Sequence, residues 1–315
     1  MSRKLRPAKR VRNTLMVSVI NFLIWFIPRF RLESLQRAGD ILGAIGACVP
    51  GKRHRRVVDH LELAFPDGEA DRPRVLKETY QSAIKTFFEV LWGIRWKPAV
   101  DNERLTIANP EALETVLAET KRRGKGLVIF TAHLGCSELT AHWFVTSFGL
   151  PCMAVAARPK IKALEDAMER VRGASGLRQI YRGEAGTAAL RHLRAGGVLI
   201  LMVDHNLKGP GVEVPFFGYA AHTLLAPARL ALQAGAVVTT MFGLRHGPGR
   251  ILLENEPPMN LPEAARDRAV RFDQEVDLTR AYTARIEEMV RRYPGQYLWM
   301  HKRWQKRPDT FPRSS

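Results

Sequence analysis

Short apolar runs alternate along the chain with longer amphipathic segments, which is the pattern of an α/β protein. Predicted strands are Leu127–Phe130, Cys152–Ala156, Val198–Val203, Ala236–Phe242 and Ile251–Glu254. Helical periodicity covers Val57–Trp96 (as two or three helices), Leu164–Arg172, Thr187–Arg194, Leu224–Ala234 and Leu278–Tyr293. The uninterrupted run VLILMV at Val198–Val203 is typical of a parallel strand buried on both faces. The pattern predicts a mixed, mostly parallel sheet flanked by helices on both sides.

A histidine and a carboxylate stand at the first strand-to-helix junction, in GLVIFTAHLGCSE. His133 and Glu138 would diverge if both were helical, so they can meet only with His133 in the turn and Glu138 in the first helical turn. Gly135 allows that turn, and Ser137 is a candidate N-cap for a helix running to Gly149. A carboxylate on one imidazole nitrogen would leave the other nitrogen as a general base. The H-x4-E spacing is weak by itself, and a structural histidine is the alternative.

Three further segments follow apolar strands or lie in loops beside them, where ligands bind in open α/β sheets. Arg158 precedes a helix that carries Arg170 and Arg172, which form either a binding surface or a solvated basic face. Asp204 begins the sequence Asp-His-Asn after the buried strand. These polar residues either make structural hydrogen bonds or belong to a functional site. Phe216 and Phe217 cannot both point into the core from a regular strand, so one is expected to line an apolar channel unless both simply pack.

The net charge of +18 is concentrated at the two ends of the chain. Residues 1–56 carry +11 and residues 280–315 carry +6, which leaves +1 for the long middle. A nucleic acid would attract such ends, but no RNP, KH or zinc-finger signature is present, so no nucleic-acid partner is expected. An anionic membrane surface explains the charge better.

The basic N-terminus leads into an uncharged run, Asn13–Pro28, which as a helix would span about 24 Å at 1.5 Å per residue. A bilayer core is about 30 Å thick, so the run predicts a tilted or half-inserted anchor. Basic residues before it place the N-terminus on the cytoplasmic side. A cleaved signal peptide is disfavoured because no A-x-A site follows. Ile41–Pro50, with a basic stretch after it, is a second apolar element.

The three cysteines, Cys48, Cys136 and Cys152, are an odd number without metal-binding spacing, which fits a reducing compartment. Cys136 lies near His133, but nothing in the sequence marks it as a reactive thiol. A metal hydrolase is not expected because neither H-E-x-x-H nor a clustered histidine triad is visible, and no metal ligand is assigned.

Taken in order, these motifs resemble the lysophospholipid acyltransferase-like superfamily, specifically its lipid A late-acyltransferase branch (lauroyl and myristoyl acyltransferases). The motifs are GLVIFTAHLGCSE, ARP, RVRGASG, GGVLILMVDHN, VPFFG and QYLWMHKRW, within roughly residues 15–310. The resemblance implies a glycerolipid acyltransferase-like fold with residues 1–50 as a membrane anchor, 51–300 as the acyltransferase domain and 301–315 as a basic tail. It also implies an enzyme at the cytoplasmic face of the cell inner membrane.

On that resemblance, His133 and Glu138 form the catalytic dyad, and Arg170 and Asp204 match further polar residues that are functionally important in the family. Together with Arg158, Phe216 and Phe217, these two are the candidate substrate-binding residues. His133 would act as general base, oriented by Glu138, on a hydroxyl of a lipid A precursor. Acyl carrier protein or acyl-CoA would donate the chain, and no cofactor is needed because a thioester is already activated. Oxyanion donors would be a backbone N–H of the Leu134–Gly135 turn or Arg170.

The chain departs from the family pattern H-x-G-N-W-E, because Cys136 and Ser137 stand where many members have Asn and Trp. We therefore expect a different acyl-length preference. Two alternatives stay open. One is acylation of another glycolipid, such as a phosphatidylinositol mannoside, or of a lysophospholipid; the other is a non-catalytic basic protein that binds membranes or nucleic acid.

Overall fold

A seven-stranded sheet in the order β1-β9-β8-β2-β5-β3-β4 forms the centre of the protein. All neighbouring strands are parallel except β8 and β9, which are antiparallel. The computed structural model describes residues 7–98, 101–159 and 161–304. The strands of this sheet are β1 Leu105–Ile107, β2 Leu127–Thr131, β3 Cys152–Ala156, β4 Arg178–Tyr181, β5 Val198–Met202, β8 Val237–Arg245 and β9 Ile251–Asn255. The predicted mostly parallel mixed sheet flanked by helices is confirmed.

Helices occupy most of the remaining described chain. They are α1 Pro7–Phe26, α2 Leu32–Ala47, α3 Lys52–Ala64, α4 Arg72–Trp92, α5 Pro110–Arg123, α6 Ser137–Phe148, α7 Lys162–Gly173, α8 Ala185–Arg194, α9 Ala226–Ala234 and α10 Arg268–Arg292. Their ends follow local chemistry. The Asn109 side chain accepts a hydrogen bond from the Ala112 amide at the start of α5, and Gly124 ends that helix in the left-handed conformation.

The alternation of side chains along β2 divides the core into two layers. Val128 and Phe130 lie in the layer that includes α9 and α10, whereas Leu127 and Ile129 lie in the layer that includes α6. Strand β5 alternates between the same two layers. Leu127–Phe130 of β2 and all of β5 are therefore apolar, which explains the uninterrupted runs that the sequence shows.

A hairpin of β6 Gly211–Phe216 and β7 Tyr219–Leu224 lies outside the main sheet. Phe216 pairs with Tyr219, so the turn consists of Phe217 and Gly218 alone, both with positive φ (53° and 75°). This tight turn carries Phe217 out of the regular alternation of the strand. The expectation that one of the two phenylalanines leaves the core is wrong, because it required an extended backbone at both residues and Phe217 lies in the turn. Phe216 and Phe217 are 0% and 5% exposed.

A buried ion pair joins α4 to β8. Arg245 donates two hydrogen bonds to the Glu89 carboxylate, at 2.8 and 2.7 Å, and both side chains are almost fully buried. Gln296 bonds the Arg245 backbone on both sides, through its oxygen at 2.9 Å and its amide nitrogen at 3.0 Å. The pair and Gln296 thus connect α4, β8 and the segment after α10.

Helices α1 and α2 and the short segments that follow them display apolar side chains to solvent. The exposed set is Val19, Phe22, Trp25, Phe30, Ile41, Leu42, Ile45 and Val49. In the described ranges, none of the helices is long and apolar enough to cross a bilayer. Residues 1–6 and residues 305–315 of the expected basic tail lie outside the described residues.

Candidate active site

His133 and Asp204 meet because their strands are neighbours in register. Thr131 of β2 pairs with Met202 of β5, and each polar residue follows its strand by two positions. Asp204 Oδ1 lies 2.8 Å from His133 Nδ1. Asp204 is only 2% exposed, whereas the imidazole remains partly accessible. The carboxylate therefore holds the Nδ1–H tautomer and leaves Nε2 of His133 as the basic nitrogen.

The turn that carries His133 is fixed by backbone hydrogen bonds from two other parts of the chain. The Cys136 amide donates to Gly243 O of β8 at 2.8 Å, and the Gly135 amide donates to Gln296 O at 3.0 Å. The His133 carbonyl accepts from the Leu298 amide at 3.0 Å. Gly135 has φ +63°, and a Cβ there would lie 2.0 Å from Gly243 O. The turn requires glycine both for its conformation and for this close approach.

Glu138 lies in the first turn of α6, as expected, but its partner is Arg172. Arg172 of α7 binds both carboxylate oxygens of Glu138, with the Nε contact at 3.2 Å. Among the described residues, no hydrogen bond joins Glu138 to His133. The expectation that Glu138 orients the imidazole is therefore corrected. Asp204, which follows β5, makes that hydrogen bond instead. The helix begins one residue earlier than expected, with Cys136 rather than Ser137 as its N-cap.

The other two predicted arginines make contacts of a different kind. Arg170 is exposed and donates to Asn21 of α1 at 2.6 Å, so it is Arg172, two residues further along α7, that reaches the Glu138 carboxylate. Arg158 stands just beyond the end of β3. Its exposed guanidinium pairs with Glu184 at 3.1 Å and lies over the Tyr181 ring.

The backbone amides of the turn are already engaged. Leu134 N donates to Ala132 O at 2.8 Å, and the Gly135 and Cys136 amides donate to Gln296 and Gly243. The expected oxyanion donors of the Leu134–Gly135 turn therefore stabilise the turn itself. Arg172 is a nearby cation whose charge acts on His133.

The electrostatics of the pair favour a charged Asp204. Burial would raise its carboxyl pKa, but the adjacent His133 outweighs burial and lowers it below the usual range. Burial would lower the imidazole pKa of His133, and Asp204 outweighs that effect and raises it above 6.5, with a smaller contribution from Glu138. The pKa of His133 is therefore raised relative to that of a free histidine.

Two more histidine rings lie next to that of His133. The His205 ring stacks on it, with ring centroids 4.1 Å apart and an interplanar angle of 1°. The His301 ring lies 4.9 Å away and its Nδ1 contacts Nε2 of His205. Burial, with the charge of His133, lowers the pKa of His205 to about 3 and of His301 to about 4, so both rings are neutral at pH 7. Sequence reasoning gave His301 no role; its place in the QYLWMHKRW motif was the available signal.

An apolar cavity of about 680 Å³ opens beside His205. The ends of β3 and β5 and helices α8 and α9 surround it. Its apolar lining includes Val155, Leu190, Leu201, Val203, Leu207, Leu224 and Leu230. Arg182, Lys208 and Arg229 add positive charge to the lining. This volume is in the range of ligand pockets.

Phe216 and Phe217, which were expected to line such a channel, pack instead in an aromatic cluster. Phe217 meets Phe65 edge-on at 5.3 Å and Trp299 at 5.8 Å between ring centroids, and Arg291 covers its other side. These two residues therefore stabilise the segment that leads to His301 rather than line the cavity.

The thiol of Cys136 is 1% exposed, and burial raises its pKa to about 12. A thiolate is therefore negligible at neutral pH, which argues against a cysteine nucleophile.

A family model described as bacterial lipid A biosynthesis acyltransferase matches residues 3–306 of the chain. The lipid A biosynthesis lauroyltransferase of Escherichia coli (strain K12) is 22% identical over 302 residues, which cover 92% of this chain and 91% of the relative. A phosphatidylinositol mannoside acyltransferase of Mycolicibacterium smegmatis is 28% identical over 160 residues, 48% of this chain and 51% of the relative. That of Mycobacterium tuberculosis is 27% identical over 162 residues, 47% and 50% of the two chains.

Proposed function

The chain belongs to the bacterial lipid A biosynthesis acyltransferase family, and on that premise we propose that it transfers a fatty acyl chain from an acyl thioester to a hydroxyl of a lipid A precursor. Acyl carrier protein is the proposed donor. The observation that carries the proposal is the His133–Asp204 pair at the carboxyl edge of the sheet, whose partly accessible imidazole stacks on His205 in the wall of a large apolar cavity.

In the proposed reaction, His133 Nε2 takes the proton from the acceptor hydroxyl as its oxygen attacks the thioester carbonyl. Collapse of the tetrahedral intermediate breaks the carbon–sulfur bond, and the leaving thiolate receives the proton back from His133. Asp204 stabilises the imidazolium between the two steps. Arg172 supplies positive charge on the side of Glu138, and Glu138 fixes the guanidinium in place.

The cavity beside His205 is the proposed site of the acyl chain. Its apolar lining removes hydrocarbon from water, and each buried methylene contributes about 0.8 kcal/mol. The basic side chains Arg182 and Lys208 suit the acidic surface of a carrier protein or the phosphates of the acceptor. A cavity of fixed length would select the chain that is transferred.

The test is acyl transfer in vitro by detergent-solubilised protein acting on a tetra-acylated lipid A precursor. Labelled acyl groups are supplied on carrier protein or, in parallel, on CoA. His133→Ala is compared with His246→Ala, since His246 lies in the exposed turn after β8. We expect the wild type and His246→Ala to transfer, and a folded His133→Ala protein to lose about 10²–10⁴-fold in rate. Equal rates for the two variants would remove His133 from the mechanism.

Acylation of another glycolipid is the second candidate, favoured by the two phosphatidylinositol mannoside acyltransferases, although each match covers about half of the relative. The same assay with a phosphatidylinositol mannoside acceptor decides between them. Transfer to this acceptor and none to the lipid A precursor would establish the second candidate.

We further propose that α1 and α2 lie in the interface of an anionic membrane, at the cytoplasmic face of the inner membrane, with residues 1–50 as the anchor. Phe22 and Trp25 are 51% and 57% exposed. The Arg29 guanidinium stacks over Trp25 at 3.6 Å, which places a charge at the edge of the apolar surface.

Flotation with phosphatidylglycerol-containing vesicles tests this orientation. Phe22→Asp or Trp25→Asp removes apolar contact worth about 1–2 kcal/mol at half-exposed positions, so vesicle binding should fall about tenfold. Phe272→Asp is the matched control, since Phe272 is 46% exposed on α10. An equal loss with Phe272→Asp would contradict the assignment of the membrane-facing surface.

A further inference from the structure

Three histidines from distant parts of the chain converge at the candidate active site. His133 follows β2, His205 follows β5, and His301 lies in the segment after α10. One ring nitrogen of each lies within 4.8 Å of the corresponding nitrogen of the other two. The sequence predicted no metal site, because the histidines are too far apart along the chain for their convergence to be visible.

The three histidines offer one ring nitrogen each within a short distance of the others. Asp204 binds Nδ1 of His133 at 2.8 Å, so Nε2 is the nitrogen that remains for a metal. A carboxylate on the far nitrogen is the usual support of a metal-bound histidine. Nδ1 of His301 and Nε2 of His205 face each other in direct contact.

We propose that His133, His205 and His301 form a binding site for Zn²⁺, and that the bound ion inhibits acyl transfer by occupying Nε2 of His133. Three imidazoles with a fourth position open to water are a known zinc ligand set. All-nitrogen ligands favour zinc and its neighbours in the first transition row over Mg²⁺ or Ca²⁺, which prefer oxygen. The binding half of the proposal stands by itself, whereas the inhibition half rests on the proposed function.

Binding requires side-chain rotations, because the parallel rings of His133 and His205 do not direct their nitrogens at one point. Zinc–nitrogen bonds of about 2.0–2.1 Å in tetrahedral geometry separate the ligand atoms by about 3.3 Å. The three nitrogens already lie within 4.8 Å of one another, so side-chain rotations can close the site. His205 and His301 would move apart to admit the ion, while Asp204 keeps the His133 ring in place.

Direct binding is measured first, without substrate. Protein free of a polyhistidine tag is stripped with EDTA, freed of chelator and titrated with Co²⁺, whose visible absorption reports tetrahedral coordination. We expect one Co²⁺ per chain, displaced by Zn²⁺ and not by excess Mg²⁺. His301→Gln removes a ligand and should weaken binding more than the roughly 10–100-fold that loss of a supporting residue costs. His246→Gln is the matched control, and it should bind like the wild type.

Inhibition is measured second, as acyl transfer with increasing Zn²⁺ and its recovery on adding EDTA. We expect His301→Gln to need at least tenfold more Zn²⁺ than the wild type for half-inhibition of its own activity. Wild-type protein without stoichiometric Co²⁺ absorption, or a His301→Gln variant that binds as tightly as the wild type, would overturn the site. Stoichiometric binding by a protein that transfers no acyl group would leave the site standing and overturn the proposed function. A protein that binds Zn²⁺ and transfers at full rate would overturn the inhibition.

Discussion

Replacing Asp204 by asparagine tests whether this carboxylate positions the His133 base. The two groups form a buried, charge-assisted hydrogen bond of 2.8 Å. Such a bond contributes about 1.5–3 kcal/mol, against about 0.5–1.5 kcal/mol for a neutral one. The difference of about 1–2 kcal/mol corresponds to a roughly 5- to 30-fold fall in kcat. If the asparagine amide donates to Nδ1 the tautomer reverses, and the loss extends toward the full general-base contribution of about 10²–10⁴-fold.

The pH dependence of kcat carries a second signature. His133 must be deprotonated to accept a proton, so activity rises with pH through its pKa, which Asp204 raises above 6.5 against the opposing effect of burial. In Asp204→Asn burial acts without the carboxylate, and the midpoint moves to lower pH while the plateau falls. EDTA is present throughout so that divalent ions do not compete for the ring.

The assay is single-turnover acyl transfer over a pH series, with folding checked by circular dichroism. Asp166→Asn, which removes an exposed carboxylate of α7, is the control and should keep the wild-type profile. A folded Asp204→Asn protein with a plateau within threefold of the wild type would refute the reasoning, and so would an unshifted midpoint.

Three further predictions concern the surroundings of the site. Glu89→Gln leaves the buried Arg245 without its counter-charge and should lower the free energy of unfolding, measured by denaturant titration, by about 3–5 kcal/mol. Glu119→Gln, in a surface pair, should change the free energy of unfolding little. Equal effects would contradict the role of burial. Gly135→Ala should abolish activity and lower Tm, because its Cβ would strike Gly243 O. Gly149 has a similar φ with open space around it, so Gly149→Ala should lower the free energy of unfolding by only about 1–2 kcal/mol. An active Gly135→Ala enzyme would refute the requirement for glycine at residue 135. Leu190→Trp should fill the cavity beside His205 and shift transfer toward shorter acyl chains. Leu164→Trp, on the exposed face of α7, is the control. An unchanged chain-length profile for Leu190→Trp would exclude this cavity as the acyl site.

The sequence predicted the central strands well because burial on both faces of a strand leaves an uninterrupted apolar run. It also placed His133 and Asp204 at the same sheet edge. Their direct contact depends on which strands are neighbours, and β2 and β5 are adjacent although β3 and β4 lie between them in the chain. Strand order is a tertiary property that local periodicity does not contain.

The partners of the charged residues were harder to foresee. Glu138 and Arg172 lie 34 residues apart and meet only in the folded chain, and the sequence does not show whether Arg170 or Arg172 reaches the carboxylate. Phe217 was misjudged because one residue of positive φ reverses the direction of a side chain. Short strands such as β1 and β4 lack enough residues to show a period.

The hydrogen bond from Leu298 to the carbonyl of His133 also sets the order of events during synthesis. Roughly 165 residues separate the two, so at about 5–20 residues per second the ribosome makes the second some 8 to 33 s after the first. Until then the turn lacks its contacts to Gln296 and Leu298, although strands β2 and β5 are complete. On the proposed function, a nascent chain therefore lacks a positioned base until residues 296–298 are made. An arrested chain ending after α10 would also lack the buried Tyr297 and Trp299 of its core.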